Sequence, residues 1–332
     1  MHCLEGRRLL SATLHGQILH ITGTADHDRL SIHAGRGQLI VNQGGGHLSR
    51  FRLSLVRHIA IEMLGGNDIV RLSDAVRVPA TIDGGEGNDV LRGGAGADAL
   101  SGGGGNDRLG GATGNDTCAG DAGNDAFPAA AAFDGNDRFV GGEGRDVLDY
   151  SQRHDSVAAG LSDGQHPVED ATDATMEIFV GGAADDILII EAPLPLTGGF
   201  AAFGRAGDDV LESRRGDNLL HGGDGDDRLV AMFASATLLG GAGNDSLRNF
   251  KGTDIFLNGG PGDDTFDVIE GLRSDIRGGT GQDTLDCRGI QFGPPVVSFD
   301  DLANDRVSSI ELNGEYESNV HSDVEHVLAP PT

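Results

Sequence analysis

One nine-residue pattern, repeated without a gap, constrains this chain more than any other feature. Between Gly84 and Pro128, five copies of Gly-Gly-x-Gly-x-Asp-x-U-x follow one another, where U is a large apolar residue or, once, a cysteine. The U positions are Leu91, Leu100, Leu109, Cys118 and Phe127. A flexible glycine-rich linker has no physical reason to place apolar side chains at a fixed interval. The pattern therefore predicts a repeating structure.

The glycines and the aspartate of the repeat have different physical roles. Glycine adopts positive φ without strain, so the backbone can turn tightly and direct its carbonyl oxygens at a common point. Aspartate adds an anionic oxygen, and Ca²⁺ prefers about six to eight oxygen ligands. The residues around U form a short strand, and the U side chain is buried only when neighbouring repeats stack on it. The sequence predicts an all-β solenoid of stacked repeats that binds several Ca²⁺ ions.

The composition limits the fold and the partners. The chain has 332 residues with 55 Gly, no Trp and 5% aromatic residues, so a thin apolar stripe is expected instead of a large globular core. The formal net charge of −28 argues against nucleic acid or an anionic membrane as a partner. No run approaches the ~18 apolar residues that span a bilayer, so no transmembrane segment is predicted. The three cysteines, Cys3, Cys118 and Cys287, predict no disulfide framework.

The repeats divide the chain into regions. Degenerate copies that end in Asp28-Arg-Leu30 and Asp68-Ile-Val70 already occur before the first complete array. Solenoid ends must be capped, so we interpret the N-terminal region as a cap that grades into the roll. The regions are a β-rich cap at 1–83 with a sorting segment at 4–12, a first array at 84–148, a non-repeat spacer at 149–180, a second array at 181–286 and a spacer-like cap at 287–332.

These repeats resemble the RTX, or hemolysin-type, calcium-binding nonapeptide repeat family. The resemblance covers roughly 84–148 and 181–286, and it implies a parallel β-roll like the C-terminal domain of serralysin, with two nonapeptides in each coil and Ca²⁺ between stacked turns. The segment from Asp149-Tyr-Ser to Glu177-Ile-Phe-Val-Gly-Gly is similar to a spacer of that family, and Val296–Val327 is similar to a related one. Residues 4–12 resemble the LEPR-XLL segment of some bacterial surface proteins, with Gly6 where that pattern has Pro.

The predicted metal ligands follow from the repeat positions. The carboxylates are those of Asp89, Asp98, Asp107, Asp116, Asp125, Asp137, Asp146, Asp186, Asp209, Asp227, Asp245, Asp254, Asp264 and Asp283. The backbone carbonyls are those of Gly84, Gly85, Gly87, Gly93, Gly94, Gly96, Gly102, Gly103, Gly105, Gly222, Gly223, Gly225, Gly240, Gly241, Gly243, Gly259, Gly260 and Gly262.

If two repeats form a coil, ligand positions 18 residues apart lie on the same edge. Both edges of the first array are then acidic. The second array has aspartates on one edge, from Asp209 to Asp283, whereas the opposite edge contains Asn218, Ala236, Asp254 and Ser274 beside the inward Leu220, Leu238, Phe256 and Ile276. We therefore predict that the second array binds Ca²⁺ mainly along one edge, and equal ion occupancy on both edges in a crystal structure would contradict this.

Stacked aspartates also predict that metal binding and folding are coupled. Like charges at the ~4.8 Å spacing of neighbouring strands repel one another unless a cation lies between them. Metal binding energy then becomes folding energy, with a Kd of about 10⁻⁴–10⁻³ M as in other extracellular modules. The family resemblance implies a chain that stays unfolded at low cellular calcium and folds outside the cell, as in type I secretion.

The sequence contains no convincing catalytic motif. The zinc-protease motif His-Glu-x-x-His is absent, and Gly160-Leu-Ser162-Asp-Gly164 matches Gly-x-Ser-x-Gly without the helix that must follow a nucleophile elbow. Two alternatives are a hydrolase that uses Ser162 with His166, and a zinc site formed by His15, His20, His27 and His33. We expect no enzymatic activity.

Two functional hypotheses remain. The first is a secreted or surface-associated calcium-binding β-roll with a structural or adhesive role, whose cell-surface or matrix partner the sequence does not identify. The alternative is a calcium-dependent secretion and folding module of a larger secreted enzyme that is a protease, a lipase or a polysaccharide-modifying enzyme.

Overall fold

The described part of the computed structural model consists of strands and one short 3-10 helix, Leu53–Leu55. The residues that it describes are 10–44, 47–129, 134–160, 170–172, 175–190, 199–214, 216–233, 235–251, 254–269, 273–287, 296–298 and 306–310. These residues contain no helix long and apolar enough to cross a membrane. The chain divides into a first unit, Met1–Asp149 with Glu169–Met176, and a second unit, Tyr150–Val168 with Glu177–Thr332.

The first unit consists of two β-sheets whose neighbouring strands are mostly parallel. One sheet has the order β1-β2-β6-β8-β10-β12-β14-β17 and the other the order β5-β4-β3-β7-β9-β11-β13-β15, with antiparallel pairing only in β1–β2 and β3–β4–β5. The strands are Ser11–His15 (β1), Ile18–Thr22 (β2), Arg29–Gly35 (β3), Gln38–Asn42 (β4), Leu48–Arg52 (β5), His58–Glu62 (β6), Ile69–Leu72 (β7), Ala80–Glu86 (β8), Val90–Arg92 (β9), Ala99–Gly104 (β10), Arg108–Gly110 (β11), Thr117–Ala122 (β12), Ala126–Pro128 (β13), Arg138–Glu143 (β14), Val147–Asp149 (β15) and Asp170–Thr172 (β17).

The second unit also consists of two parallel sheets. Their orders are β16-β19-β21-β23-β25-β27-β29-β31 and β18-β20-β22-β24-β26-β28-β30. The strands are Ala158–Gly160 (β16), Ile178–Val180 (β18), Ile187–Ile190 (β19), Gly199–Ala206 (β20), Val210–Ser213 (β21), Asp217–Asp224 (β22), Arg228–Met232 (β23), Ala236–Ala242 (β24), Ser246–Phe250 (β25), Asp254–Pro261 (β26), Thr265–Ile269 (β27), Arg273–Thr280 (β28), Thr284–Cys287 (β29), Val296–Ser298 (β30) and Arg306–Ile310 (β31).

Each coil of the solenoid contains two repeats, because successive strands alternate between the two sheets. Leu100 in β10 is therefore the register partner of Cys118 in β12, 18 residues later, and not of Leu109 in β11. The U side chains of all five abutting repeats are buried, and Phe127 packs edge-on against Phe139 at a ring distance of 5.6 Å. The apolar stripe thus forms a narrow core between the sheets, and the all-β, parallel β-solenoid prediction is confirmed.

One predicted position is wrong in the second unit. The register partner of Ala236 is Ile255, so Asp254 lies one residue before the ligand position and is exposed. Leu257, and not Phe256, is the inward residue beside Leu238. The extra residue of this coil is absorbed before β26, because that register buries the two apolar side chains and keeps the Asp254 carboxylate in water.

The predicted spacer contributes strands to both units. In the first unit β17 pairs with β14, and in the second unit β16 pairs with β19 and β18 pairs with β20. The repeat period could not predict these strands, because they lie outside it. Most of the 4–12 segment, the Ser162–His166 stretch and most of the spacer-like stretch Val296–Val327 lie outside the described residues.

Candidate metal centre

The aspartates of successive coils form hydrogen-bonded rows, which we call aspartate ladders. The backbone N–H of Asp89 donates to Oδ1 of Asp107 at 2.7 Å, and the N–H of Asp107 donates to Oδ1 of Asp125 at 2.7 Å. Each carboxylate therefore uses one oxygen to hold the preceding coil in register. Asp107 therefore accepts a hydrogen bond from the preceding coil and donates one to the following coil.

The described residues contain three such ladders. The insertion between Asp125 and Asp146 does not break the first ladder, because these residues remain hydrogen-bonded at 2.8 Å. The ladders consist of Asp28, Asp68, Asp89, Asp107, Asp125 and Asp146 on one edge of the first unit, Asp98, Asp116, Asp137 and Asp170 on its other edge, and Asp186, Asp209, Asp227, Asp245, Asp264 and Asp283 in the second unit.

The opposite edge of the second unit has no corresponding ladder among the described residues. Asn218, Ala236 and Ile255 are register partners at that position, and two of the three have apolar side chains. The side chain of Ser274 is outside the described residues. The chemistry of this edge agrees with the predicted one-sided binding, and the ion distribution itself stays a prediction.

Three ladder residues were not among the predicted ligands. Asp28 and Asp68 belong to degenerate repeats in the N-terminal cap, so their sequence signal was present but incomplete. Asp170 accepts the N–H of Asp137 at 2.8 Å although 33 residues separate the two. No nine-residue period connects them, so only the structure could place Asp170 in the ladder.

The second carboxylate oxygen decides whether a cation is needed. In many ladder aspartates Oδ2 is buried and has no hydrogen-bond partner among the described residues, which is unfavourable for a charged oxygen unless a cation compensates it. At Asp98 and Asp186, by contrast, Oδ2 accepts the N–H of Gly94 at 2.7 Å and of Gly182 at 2.6 Å. The unpartnered Oδ2 atoms are those of Asp68, Asp89, Asp107, Asp116, Asp125, Asp209, Asp227, Asp245 and Asp264.

The first glycine of the repeat leaves a space beside this oxygen. A Cβ atom added to Gly102 would lie 2.2 Å from Oδ2 of Asp107 and 2.7 Å from the carbonyl oxygen of Gly120 in the next coil. At Gly222 the corresponding distances are 2.1 Å to Oδ2 of Asp227 and 2.6 Å to the carbonyl oxygen of Gly240. A carboxylate oxygen and a carbonyl oxygen of neighbouring coils thus converge where only glycine leaves room.

These oxygens fit Ca²⁺ and no ion that needs several side-chain ligands. Within the described residues, no three His, Cys, Asp or Glu side chains converge on one point. Backbone carbonyls must therefore supply much of a coordination shell, and Ca²⁺ accepts carbonyl and carboxylate oxygens in a flexible geometry. The same result gives no support to a zinc site formed by His15, His20, His27 and His33.

Most of the predicted carbonyls point along the stack of coils. The Gly94 carbonyl is already used within the fold, because it accepts the N–H of Thr113 in the next coil at 3.1 Å. The ligand roles of Gly84, Gly93 and Gly103 stay predictions. The carbonyl oxygens that lie against a glycine of the neighbouring coil are those of Gly85, Gly87, Gly96, Gly102, Gly105, Gly222, Gly223, Gly225, Gly240, Gly241, Gly243, Gly259, Gly260 and Gly262.

A second row of side chains lies outside each ladder. Here the backbone N–H donates to a side chain of the preceding coil, whereas in the ladder it donates to the following coil. The N–H of Asn106 donates to Oδ1 of Asn88 in the preceding coil at 2.7 Å. In the second unit the N–H of Asn244 donates to Oδ1 of Asp226 at 2.7 Å. These outer residues are exposed, so their carboxylates or amides stay hydrated while the neighbouring ladder aspartates are buried.

Burial raises the pKa of the Asp107 and Asp209 carboxyls above their ordinary value of 3.8, and like charges in neighbouring coils raise it further. Backbone N–H donors oppose this shift without cancelling it. The pKa is raised to about 6 in Asp68, Asp116 and Asp245, to about 7 in Asp107, Asp227 and Asp264, and to about 8 in Asp137 and Asp209.

The calcium-free chain should lose stability as the pH rises. Because the folded pKa values exceed the unfolded ones, the folded state binds more protons, and this contribution is complete below about pH 4 and disappears as the pH passes through about 6 to 8. In calcium-free buffer we therefore expect less β-structure by far-UV circular dichroism at about pH 8 than at about pH 5.5. Identical spectra at the two pH values would contradict the raised pKa values.

Sequence comparison identifies the repeats that form these ladders. A family model of the RTX calcium-binding nonapeptide repeat (4 copies) matches residues 81–109, 102–127, 132–149, 203–232 and 235–266. No curated protein matches the chain. RTX nonapeptide repeats bind Ca²⁺ and are typical of secreted proteins. The matched repeats and the β-solenoid that they form show that the chain carries RTX calcium-binding nonapeptide repeats.

Proposed function

We propose that this protein is an extracellular calcium-binding β-roll that folds when it binds Ca²⁺ and has a structural or adhesive role at a surface. The row of buried Oδ2 atoms without partners supports this proposal most directly. Asp209, Asp227 and Asp245 follow one another at the spacing of neighbouring strands, so their charges repel unless cations lie between them. The typical occurrence of RTX repeats in secreted proteins supports the extracellular location.

Binding and folding are coupled because, without metal, the coils have few interactions that favour the folded state. The core is one narrow stripe, and 55 glycines raise the entropy that the unfolded chain loses on folding. Protonation is the alternative way to neutralise the ladders, and it becomes incomplete near neutral pH. Ca²⁺ binds only the folded turns, so its binding free energy adds to the stability of the roll.

Two adjacent aspartates allow a matched test. Asp227 is buried in the ladder, whereas Asp226 beside it is exposed; Oδ1 of Asp227 accepts the N–H of Asp209, and Oδ1 of Asp226 accepts the N–H of Asn244. In Asp227→Asn the amide oxygen retains that hydrogen bond, and the anionic Oδ2 is lost. We expect Asp227→Asn to bind fewer Ca²⁺ ions per chain by equilibrium dialysis and to need about tenfold more Ca²⁺ for folding, whereas Asp226→Asn should resemble the wild type.

The same pair separates a metal ligand from a purely structural residue. At about pH 5.5 without calcium, Asp227→Asn should be about as stable as Asp226→Asn, because the pKa of about 7 leaves the Asp227 carboxyl mostly protonated and the neutral amide resembles it. A variant that loses stability without calcium and keeps its full calcium stoichiometry would overturn the proposal.

We propose that the role is not enzymatic. Gly160 ends β16 in the described residues, whereas Ser162 and Gly164 of the Gly-x-Ser-x-Gly match lie outside them. The proposal therefore rests on the sequence context, in which Pro167 follows the match where a helix would have to begin.

A further inference from the structure

Four arginines form a row on the outer face of one sheet in the first unit. The adjacent strands β3, β7, β9 and β11 carry one outward arginine each, and we call Arg29, Arg71, Arg92 and Arg108 the arginine face. Arg71 and Arg92 are direct register partners, while Arg29 and Arg108 belong to the neighbouring column of side chains. Successive guanidinium groups are therefore offered at steps of ~4.8 Å along the stack.

Three of these arginines have no partner for their charge. Among the described residues, the side chains of Arg29, Arg71 and Arg108 form no hydrogen bond or ion pair. Arg92 is held in place, because its Nη1 donates to the carbonyl oxygen of Leu72 at 2.9 Å and its Nη2 contacts Asp74 at 2.6 Å. Asp74 is thus the anion that balances one member of the row.

Stability does not explain this arrangement. Like charges directly opposite each other in neighbouring strands are destabilising, and Arg71 faces Arg92. The clustering is also unexpected from composition, because the chain has 24 Lys and Arg against 52 Asp and Glu. An anionic ligand would remove the repulsion between these arginines.

The surface between the arginines is a groove with an apolar floor. Ile69 and Val90 lie in the column between Arg29 and Arg108, and Gly110 leaves space next to Arg92. Two adjoining depressions share Arg71, and none of the described residues that line them is aromatic. The groove therefore has no platform on which nucleic acid bases could stack.

We propose that the arginine face binds a linear acidic polysaccharide. A guanidinium group forms bidentate hydrogen bonds with a carboxylate, and the row offers one such group for each strand that an extended chain crosses. The aliphatic floor provides contact for the apolar faces of sugar rings. This site is separate from the calcium ladders, so the inference goes beyond the proposed calcium-dependent folding.

The test uses the complete, calcium-loaded chain and a short oligogalacturonate as the probe, at a constant free calcium concentration. The double substitution Arg71→Gln/Arg108→Gln removes two charges from the arginine face, and Arg138→Gln/Arg228→Gln removes two exposed charges elsewhere. We expect the first variant to weaken the Kd by at least about tenfold in titration calorimetry and the second by less than about twofold. Binding should also weaken as salt concentration rises, and neutral dextran should not bind.

Circular dichroism and thermal midpoints establish that both variants are folded like the wild type. Equal loss of binding in the two variants would mean that net charge alone attracts the oligosaccharide, and it would overturn the site. Poly-glutamate that binds as tightly as oligogalacturonate, with the same dependence on Arg71 and Arg108, would overturn the sugar assignment in favour of an acidic polypeptide.

Discussion

Removal of Ca²⁺ at neutral pH should unfold most of this chain. The ladders place buried carboxylates in successive coils. In nine of these carboxylates, Oδ2 has no partner in the described residues. Without a cation, the fold must accept either charge repulsion along the stack or protonation of the raised-pKa carboxyls. We expect a far-UV circular dichroism spectrum typical of coil in EDTA and of β-structure at about 10⁻⁴–10⁻³ M free Ca²⁺.

Magnesium is the control for this titration. Mg²⁺ is smaller, requires near-octahedral geometry and retains several water molecules, so the carbonyl-rich turns should not replace its hydration shell. The calcium transition should also be cooperative, because a ladder aspartate such as Asp107 is hydrogen-bonded to both of its neighbouring coils. A chain that keeps its β-structure in EDTA would show that the apolar stripe alone holds the solenoid together.

The second large effect is expected from one glycine methyl group. Gly123 has φ +135°, and a Cβ atom at this position would lie 1.8 Å from the carbonyl oxygen of Gly105 in the preceding coil. Gly123→Ala combines backbone strain of about 1–3 kcal/mol with overpacking of similar size, so roughly 2–6 kcal/mol of stability should be lost. The calcium midpoint for folding should therefore move to a higher concentration, and the thermal midpoint in saturating calcium should fall.

Gly110→Ala is the matched control in the same unit. Gly110 does not have positive φ, and the nearest atom to an added Cβ would be the Pro128 carbonyl oxygen at 3.6 Å, an ordinary contact. This substitution should change the calcium midpoint little. If both variants behave alike, the turn does not need the conformation or the close approach that the structure assigns to Gly123.

Much of the fold could be predicted because the same pattern of glycine, aspartate and buried apolar positions occurs in many repeats. A nine-residue interval between buried side chains, as from Leu100 to Leu109, implies one strand for each repeat, and two repeats for each coil place Asp89 and Asp107 on the same edge. Both expectations are confirmed in the structure. The three-residue insertion before Asp137 did not obscure the pattern, because the interval resumed after it.

The prediction failed where the interval was irregular. A single extra residue near Asp254 could be placed on either side of it, and the sequence does not state which turn absorbs the residue. No strand or ligand position could be assigned within the spacer at 149–180, so the ladder position of Asp170 was missed. The positions of Asp254 and Asp170 both depend on which side chains are buried. Whether a side chain is buried depends in turn on which residue of the neighbouring coil lies opposite it.

Residue type and interval predicted the class of fold and Ca²⁺ as the metal, and the two-repeat coil implied by the family resemblance predicted the edges on which carboxylates accumulate. The folded structure was needed to show which carboxylate oxygen is already used by a backbone N–H, which glycine cannot accept a methyl group, and that Arg29, Arg71, Arg92 and Arg108 lie in one row. These properties belong to pairs of atoms in different coils. The register between coils brings these atoms together, and no interval along the chain specifies that register completely.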